Sequence, residues 1–184
     1  MPAASPRSVT ASLSPAQVRE LSEYNRRVFD RFVRKVRALP WRQATRPRGI
    51  GHESLFGTLV HILHVHEVWF GYIAQGKTSD KELQSLFSDA ARKPKDWKSF
   101  AAFERRVWLV VDRYLARLTP KELRKTIRVF WMPGRYTVSD AVFQTTFEQA
   151  HHLGEVIGAL WVDDLPPPEM TWIRVTRSSP ARKA

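Results

Sequence analysis

The sequence predicts an all-α four-helix bundle, and three observations carry that prediction. Four long stretches repeat their apolar residues at helical spacing, capping signals open several of them, and a single short stretch, Thr126 to Thr137, has the β-branched and aromatic run of an extended pair. The first helix opens at Ser14, with Pro15 at the first helical position, Gln17 completing a capping box and Leu13 placed to staple onto Val18. Val18, Leu21, Val28, Phe29, Phe32, Val33 and Val36 form its apolar stripe until Leu39 and Pro40 end it. Residues 41–52, with Pro47, Gly49 and Gly51, read as irregular.

The second helix runs from about Glu53 to Gln75, with Gly76 as its stop, and is apolar nearly all round, as a deeply packed helix must be. A long polar connector follows, with a short apolar patch at Leu83, Leu86 and Phe87 and room for a turn or two of helix. The third helix spans about Trp97 to Leu118 and carries Phe100, Phe103, Val107, Val111, Tyr114, Leu115 and Leu118 on its buried stripe. Thr119 to Glu122 is another capping box with proline at its first position, opening a short turn. The hairpin segment then leads into the last long helix, capped by Thr137 and Asp140 and ending near Trp161, with Ala141, Val142, Phe147, Leu153, Ile157 and Leu160 as core candidates. Pro166 to Pro168 make the C-terminal segment extended. The chain thus divides into a disordered arm over residues 1–12, one bundle over 13–175 and a flexible basic tail over 176–184.

Composition narrows the function classes. A 184-residue chain with 43% hydrophobic residues suffices for one domain with a core. No run approaches the roughly 18 apolar residues of a membrane span, and the first dozen residues lack the apolar centre of a secretory signal. Cysteine is absent, which removes disulfides, thiolate ligands and cysteine nucleophiles, so any metal must be held by histidine and carboxylate. These features point to a cytoplasmic protein with no membrane partner. The net charge of +12 is concentrated between Arg19 and Arg48. Arg26, Arg27, Arg34 and Arg37 offer a nucleic-acid surface as one reading and a solvated helix face as the other, and no recognition motif accompanies them.

Chemistry concentrates on two helices. Glu148 and His152 are four residues apart on the last helix, about 400° of rotation, so their side chains stand one above the other as two ligands of one ion can. His151 and Glu155 form a second such pair, rotated by about 60°. A third ligand has to come from another element. On the second helix, His61 and His64 lie about 60° apart and His66 about 140° from His61, so the three cannot share one site. For each of them the alternative is a satisfied core or boundary histidine, and for Glu148 with His152 it is a buried ion pair.

Three stretches, YNRRVFDRF in the first helix, ESLFGTLVHILHVHEVWF in the second and GRYTVSDAVFQTTFEQAHHLGE before and within the last, resemble the DinB family of four-helix-bundle proteins, in the family's order and over nearly all of Leu13 to Val175. The resemblance implies a DinB-like bundle and a divalent metal, zinc or nickel, and two histidines with one carboxylate also suit manganese or iron(II). The ligands it implies are His61, on the family's second-helix position eight residues before Trp69, with Glu148 and His152 on the last helix. Glu148 stands where the family pattern has a histidine, and Leu153 and Glu155 stand where it has arginine and glutamine. The activity implied is a metal-dependent hydrolase or a transferase using a low-molecular-weight thiol, acting on a small-molecule substrate, with a homodimer as the expected assembly. His64, His151 and Glu155 are the candidates for proton transfer. A non-catalytic basic module, binding nucleic acid or a small ligand on a bundle without metal, is the alternative.

Overall fold

The computed structural model describes residues 13–76, 79–88, 94–129 and 131–177. The N-terminal arm and nearly all of the basic tail fall outside these residues. Helix α1 (Pro15–Arg37) starts as its sequence requires: Ser14 Oγ accepts from the Gln17 amide and Gln17 Oε1 accepts from the Ser14 amide. Val18, Val28, Phe29, Phe32, Val33 and Val36 are buried along one face, each of the larger ones contributing about 1.5–3 kcal/mol by leaving water. The stretch expected to be irregular contains a short helix, α2 (Trp41–Thr45), whose Ala44 is buried. Trp41 is fixed there by edge-to-face contacts with Phe56 and Trp97, at 4.9 and 6.1 Å between ring centroids.

The central element is α3 (Leu55–His66), with nine of its twelve residues buried, packed on α5 (Trp97–Ala116) and α7 (Val138–Val162). It continues without a break into a π-helical segment, Glu67–Ile73, so the single long helix expected here changes pitch at its midpoint. Helix α4 (Asp80–Ser88) occupies the connector and buries Leu83 and Leu86; the side chain of Phe87 lies outside the described residues. The short α6 (Pro120–Leu123) is capped by Thr119 Oγ1, which accepts from the Glu122 amide. Strands β1 (Thr126–Val129) and β2 (Met132–Thr137) pair antiparallel, Thr126 opposite Thr137 and Val129 opposite Met132, with an irregularity between Ile127 and Val129. Trp131 sits in the turn between them. Among the described residues, no helix is long and apolar enough to cross a membrane.

Helix α7 opens on the reciprocal Thr137–Asp140 box and stops at Asp164, whose φ of 55° turns the chain out of the helix. Phe147, expected in the core, is 66% exposed. It lies about 180° from Val156 and about 140° from Leu160 around the helix, both fully buried, so the helical phase turns it outward. The proline segment is extended as expected and is fastened to α1: Tyr24 Oη donates to Met170 O at 2.6 Å and Arg31 donates to Glu169 O at 3.0 Å. The chain then forms a further short helix, α8 (Trp172–Arg177), where an extended end was expected. Trp172 packs on Tyr24 at 4.8 Å.

A polar chain crosses the core. His66 Nε2 donates to Gln149 Oε1 at 2.8 Å, Gln149 Nε2 donates to Asn25 O at 2.8 Å, and Asn25 Nδ2 donates to Thr146 Oγ1 at 3.1 Å. It ties α3, α7 and α1 into one register. His66 is therefore a core histidine, the bland alternative for that position, with Nε2 bonded and Nδ1 without a partner among the described residues.

Candidate metal centre

Three elements deliver one histidine each. His61 projects from the middle of α3 and His152 from the middle of α7, which α3 packs against. The third, His52, comes from the loop between α2 and α3 and has no helical periodicity to announce it. The rings of His52 and His61 stack at 3.5 Å between centroids, and His152 meets them edge-on at 4.8 and 4.6 Å. One nitrogen from each of the three lies within 4.8 Å of the others.

The loop is built to hold His52 in place. Arg48 N donates to Glu53 O, Glu53 N to Ile50 O and Ser54 N to His52 O, while Gly49 and Glu53 take positive φ values of 67° and 63°. Arg46 and Arg48 both pair with Asp163 at the end of α7, Arg48 at 2.6 Å, and these two hydrogen bonds hold the Asp163 carboxyl below the usual carboxylate range. Arg48 is largely buried in the process. Replacing Asp163 with alanine is expected to release this clamp. Amide hydrogen exchange over residues 46–54 should rise at least roughly tenfold while exchange in α5 stays unchanged.

Carboxylates orient the imidazoles. His152 Nδ1 donates to Glu155 Oε2 at 2.8 Å, which leaves Nε2 as its free lone pair. The other oxygen of Glu155 accepts from the Gly51 amide at 3.3 Å, so one side chain spans α7 and the loop. Burial works against ionisation of Glu155, but the His152 hydrogen bond and the Gly51 amide keep its pKa below normal. On the far side of His61, Glu148 Oε1 stands 3.5 Å from Nε2, and Gln144 Nε2 donates to Glu148 Oε2 at 2.7 Å. The His61 contact, opposed by burial and reinforced by Gln144, lowers the Glu148 pKa. Burial lowers that of His61, outweighing Glu148, and His152 lowers it further, so the ring is a neutral donor at pH 7.

Of the expected positions, His61 and His152 converge and Glu148 abuts His61. His151 is exposed and 3.8 Å from Glu155, and with His152 and Glu155 it makes a second group able to hold an ion. His64 and Glu67 line a cavity of about 580 Å³ that begins at His52 and His61 and is walled by Phe56, Val60 and Phe103. His64 Nδ1 is 3.7 Å from Glu67 Oε2, an ion-pair distance, and Arg106 donates to Glu67 Oε1 at 3.3 Å. Among the basic residues of α1, Arg26 pairs with Asp112 at 2.5 Å and covers the Trp108 ring, and Arg27 pairs with Glu23. Arg34 and Arg37 lie in the last turn, where they complement the helix dipole.

The DinB superfamily profile matches residues 24–156, most of the chain, and takes in all three histidines, Glu148 and Glu155. The chain belongs to the DinB superfamily. A search of curated proteins returns no match. As a DinB protein it carries histidine and glutamate side chains able to hold a metal ion, His52 with His61 and His152 in one group and His151 with His152 and Glu155 in another. His52 is the residue that reading the sequence missed. The local signals for it are the glycines at 49 and 51 and its place two residues before the Ser54 cap, and neither names a ligand.

Proposed function

We propose that this protein is a metal-dependent enzyme acting on a small molecule, with a divalent ion held by His52, His61 and His152 and with Glu148 as the carboxylate beside them. The observation that carries this reading is the convergence of three imidazoles from three separate elements, two of which, His52 and His61, line one cavity. The donor set fits an ion on chemical grounds. Two donors about 2.0–2.1 Å from one ion at the tetrahedral angle stand roughly 3.4 Å apart, which matches the His61–Glu148 separation of 3.5 Å. Imidazole with carboxylate suits zinc, nickel, manganese or iron(II). The competing group of His151, His152 and Glu155 is the weaker one, because both Glu155 oxygens already serve other hydrogen bonds and His151 is exposed.

A bound ion supplies Lewis acidity that lets a coordinated group lose its proton near neutral pH. The chain's own residues do the rest. Glu148, kept ionised by His61 and steadied by Gln144, accepts a proton at Oε1 or Oε2. Glu155 positions His152 and the loop, acting through them. His64 and Glu67, facing the cavity side by side, hold a second proton-exchanging pair near the substrate. Hydrolysis and transfer from a low-molecular-weight thiol both need a deprotonated nucleophile beside a Lewis acid, and this arrangement serves either.

Elemental analysis of the purified protein tests the reading. Wild type should hold about one divalent ion per chain, and His52→Ala, His61→Ala and His152→Ala should each lose most of it. Glu148→Gln should weaken retention without abolishing it. A metal-free wild type, or His52→Ala with full occupancy, would remove His52 from the centre or the centre itself.

A further inference from the structure

His61 is the shared wall of two cavities. The α3 residues that line the first, Phe56, Gly57, Val60 and His64, lie about 40° to 140° to one side of His61 around an ideal helix. Val65, which lines a second cavity of about 430 Å³ together with Val68 and Trp69 of the π-helical segment, lies about 40° to the other side. His61 and Glu148, which stand 3.5 Å apart, both line the second cavity.

Its walls have a distinct chemistry. Val65 and Val68 form the floor, and Trp69 and Trp131 meet edge-to-face at 6.0 Å to form one side. Gln84 and Gln144 supply the amides of the lining. Trp69 comes from the π-helical segment and is 5% exposed, whereas Trp131 comes from the β1–β2 turn and is 42% exposed. Trp131 therefore leans in as an outer wall. Among the described residues that line this cavity there is no lysine or arginine, although the chain has 30 of them. Among these lining residues the one charged group is the Glu148 carboxylate, next to the neutral His61 ring. A ring-shaped apolar ligand would find tryptophan on one side and aliphatic surface beneath, with an acceptor at the inner end, while an anion would meet the Glu148 carboxylate with no lysine or arginine among the lining residues to offset it.

We propose that this second cavity binds an uncharged aromatic molecule bearing a hydrogen-bond donor, of the phenol, indole or aniline type, with the ring against Trp69 and Trp131 and the donor directed at Glu148. This extends the metal-centre reading by giving the site a second substrate position, but the cavity itself does not depend on an ion.

Isothermal titration calorimetry with 2-naphthol and 2-naphthoate, on the full-length protein as purified and with metal content measured on the same sample, tests it. Saturable one-to-one binding of 2-naphthol is expected, with Trp131→Ala weakening it at least roughly tenfold by removing a wall. Trp131→Phe should restore most of the loss. Trp161→Ala, which removes an exposed tryptophan on the outer face of α7, should leave binding unchanged. The anionic 2-naphthoate should bind at least roughly tenfold more weakly than 2-naphthol. Absence of saturable 2-naphthol binding to wild type, unchanged binding in Trp131→Ala, or equal affinity for the two probes would overturn the proposal. Binding in a metal-free sample would leave the cavity standing and remove only the metal centre, so the two failures separate.

Discussion

Replacing Gly57 with alanine is expected to displace His52 and empty the metal centre while most of the bundle stays folded. Gly57 lies in the first turn of α3, where its amide donates to the Ser54 cap at 3.0 Å. A Cβ there would stand 2.4 Å from His52 O, a backbone atom held by the Ser54 amide, and 3.2 Å from Ser54 Oγ. Backbone cannot rotate away as a long side chain can, so the loop carrying His52 has to move. Overpacking of this kind costs about 1–3 kcal/mol. Denaturant titration should show that loss, and elemental analysis should show most of the metal gone. Gly154→Ala supplies the contrast: nothing lies within 4 Å of its added Cβ, and alanine in an exposed helix interior gains roughly 0.5–1 kcal/mol over glycine.

Lowering the pH should destabilise the fold through His66 before the carboxylates of the surface matter. Complete burial, aided by the nearby Arg26 charge and only partly offset by the Gln149 hydrogen bond, pushes its pKa down from near 6.5 to about 4. Gln149 Oε1 takes the Nε2 proton, and Nδ1 has no hydrogen-bond partner among the described residues, so a second proton would bring an uncompensated charge into the core. Above pH 6.5 the ring is neutral folded and unfolded, and it contributes no pH dependence. Between pH 6.5 and 4 the unfolded chain takes up a proton that the folded chain refuses, and stability falls. Integrated over that window the loss is about 3 kcal/mol. Glu148, Glu155 and Asp163, with lowered pKa values, lose stability in the same direction at lower pH. His66→Phe isolates the effect: it should cost about 1–3 kcal/mol at pH 7 by leaving Gln149 Oε1 unpaired, yet show a flatter decline between pH 6.5 and 4 than wild type. Equal slopes in urea titrations at pH 7, 5.5 and 4 would contradict it.

The parts of the fold legible in the sequence are those written in local chemistry. Ser14 with Gln17 and Thr137 with Asp140 are caps within one turn that form as read, whereas of the box read at Thr119 and Glu122 only the Thr119 half forms, because the Glu122 carboxylate takes Tyr114 and Lys125 instead. The four long helices follow from apolar spacing alone. Phe147 was misplaced because a large apolar residue was counted without its phase, which sets it opposite Val156. The change of pitch at Glu67 was invisible, since seven apolar-rich residues look alike at 3.6 and 4.4 residues per turn. Helix α8 follows a proline run too closely for periodicity to register. At the site, His61 and His152 could be located from motif spacing, because each sits on a regular helix. His52 could not: its approach depends on a loop folded by Arg48, Glu53 and Asp163, contacts that span up to 115 residues of sequence. The bond between His152 and Glu155 was hidden for a related reason, since the sequence offered Glu148 and His151 as equally good helical neighbours and only the rotamers chose.

The double hold of Glu155, one oxygen on His152 and the other on the Gly51 amide, would make the affinity for an ion at the proposed centre and the order of the loop two expressions of a single coupling free energy. Whatever factor an ion contributes to fixing the loop, a fixed loop returns to the ion's affinity in equal measure. A substrate that rests on the loop would therefore tighten the hold on the ion, and a departing product would loosen it, with no further moving part than one glutamate.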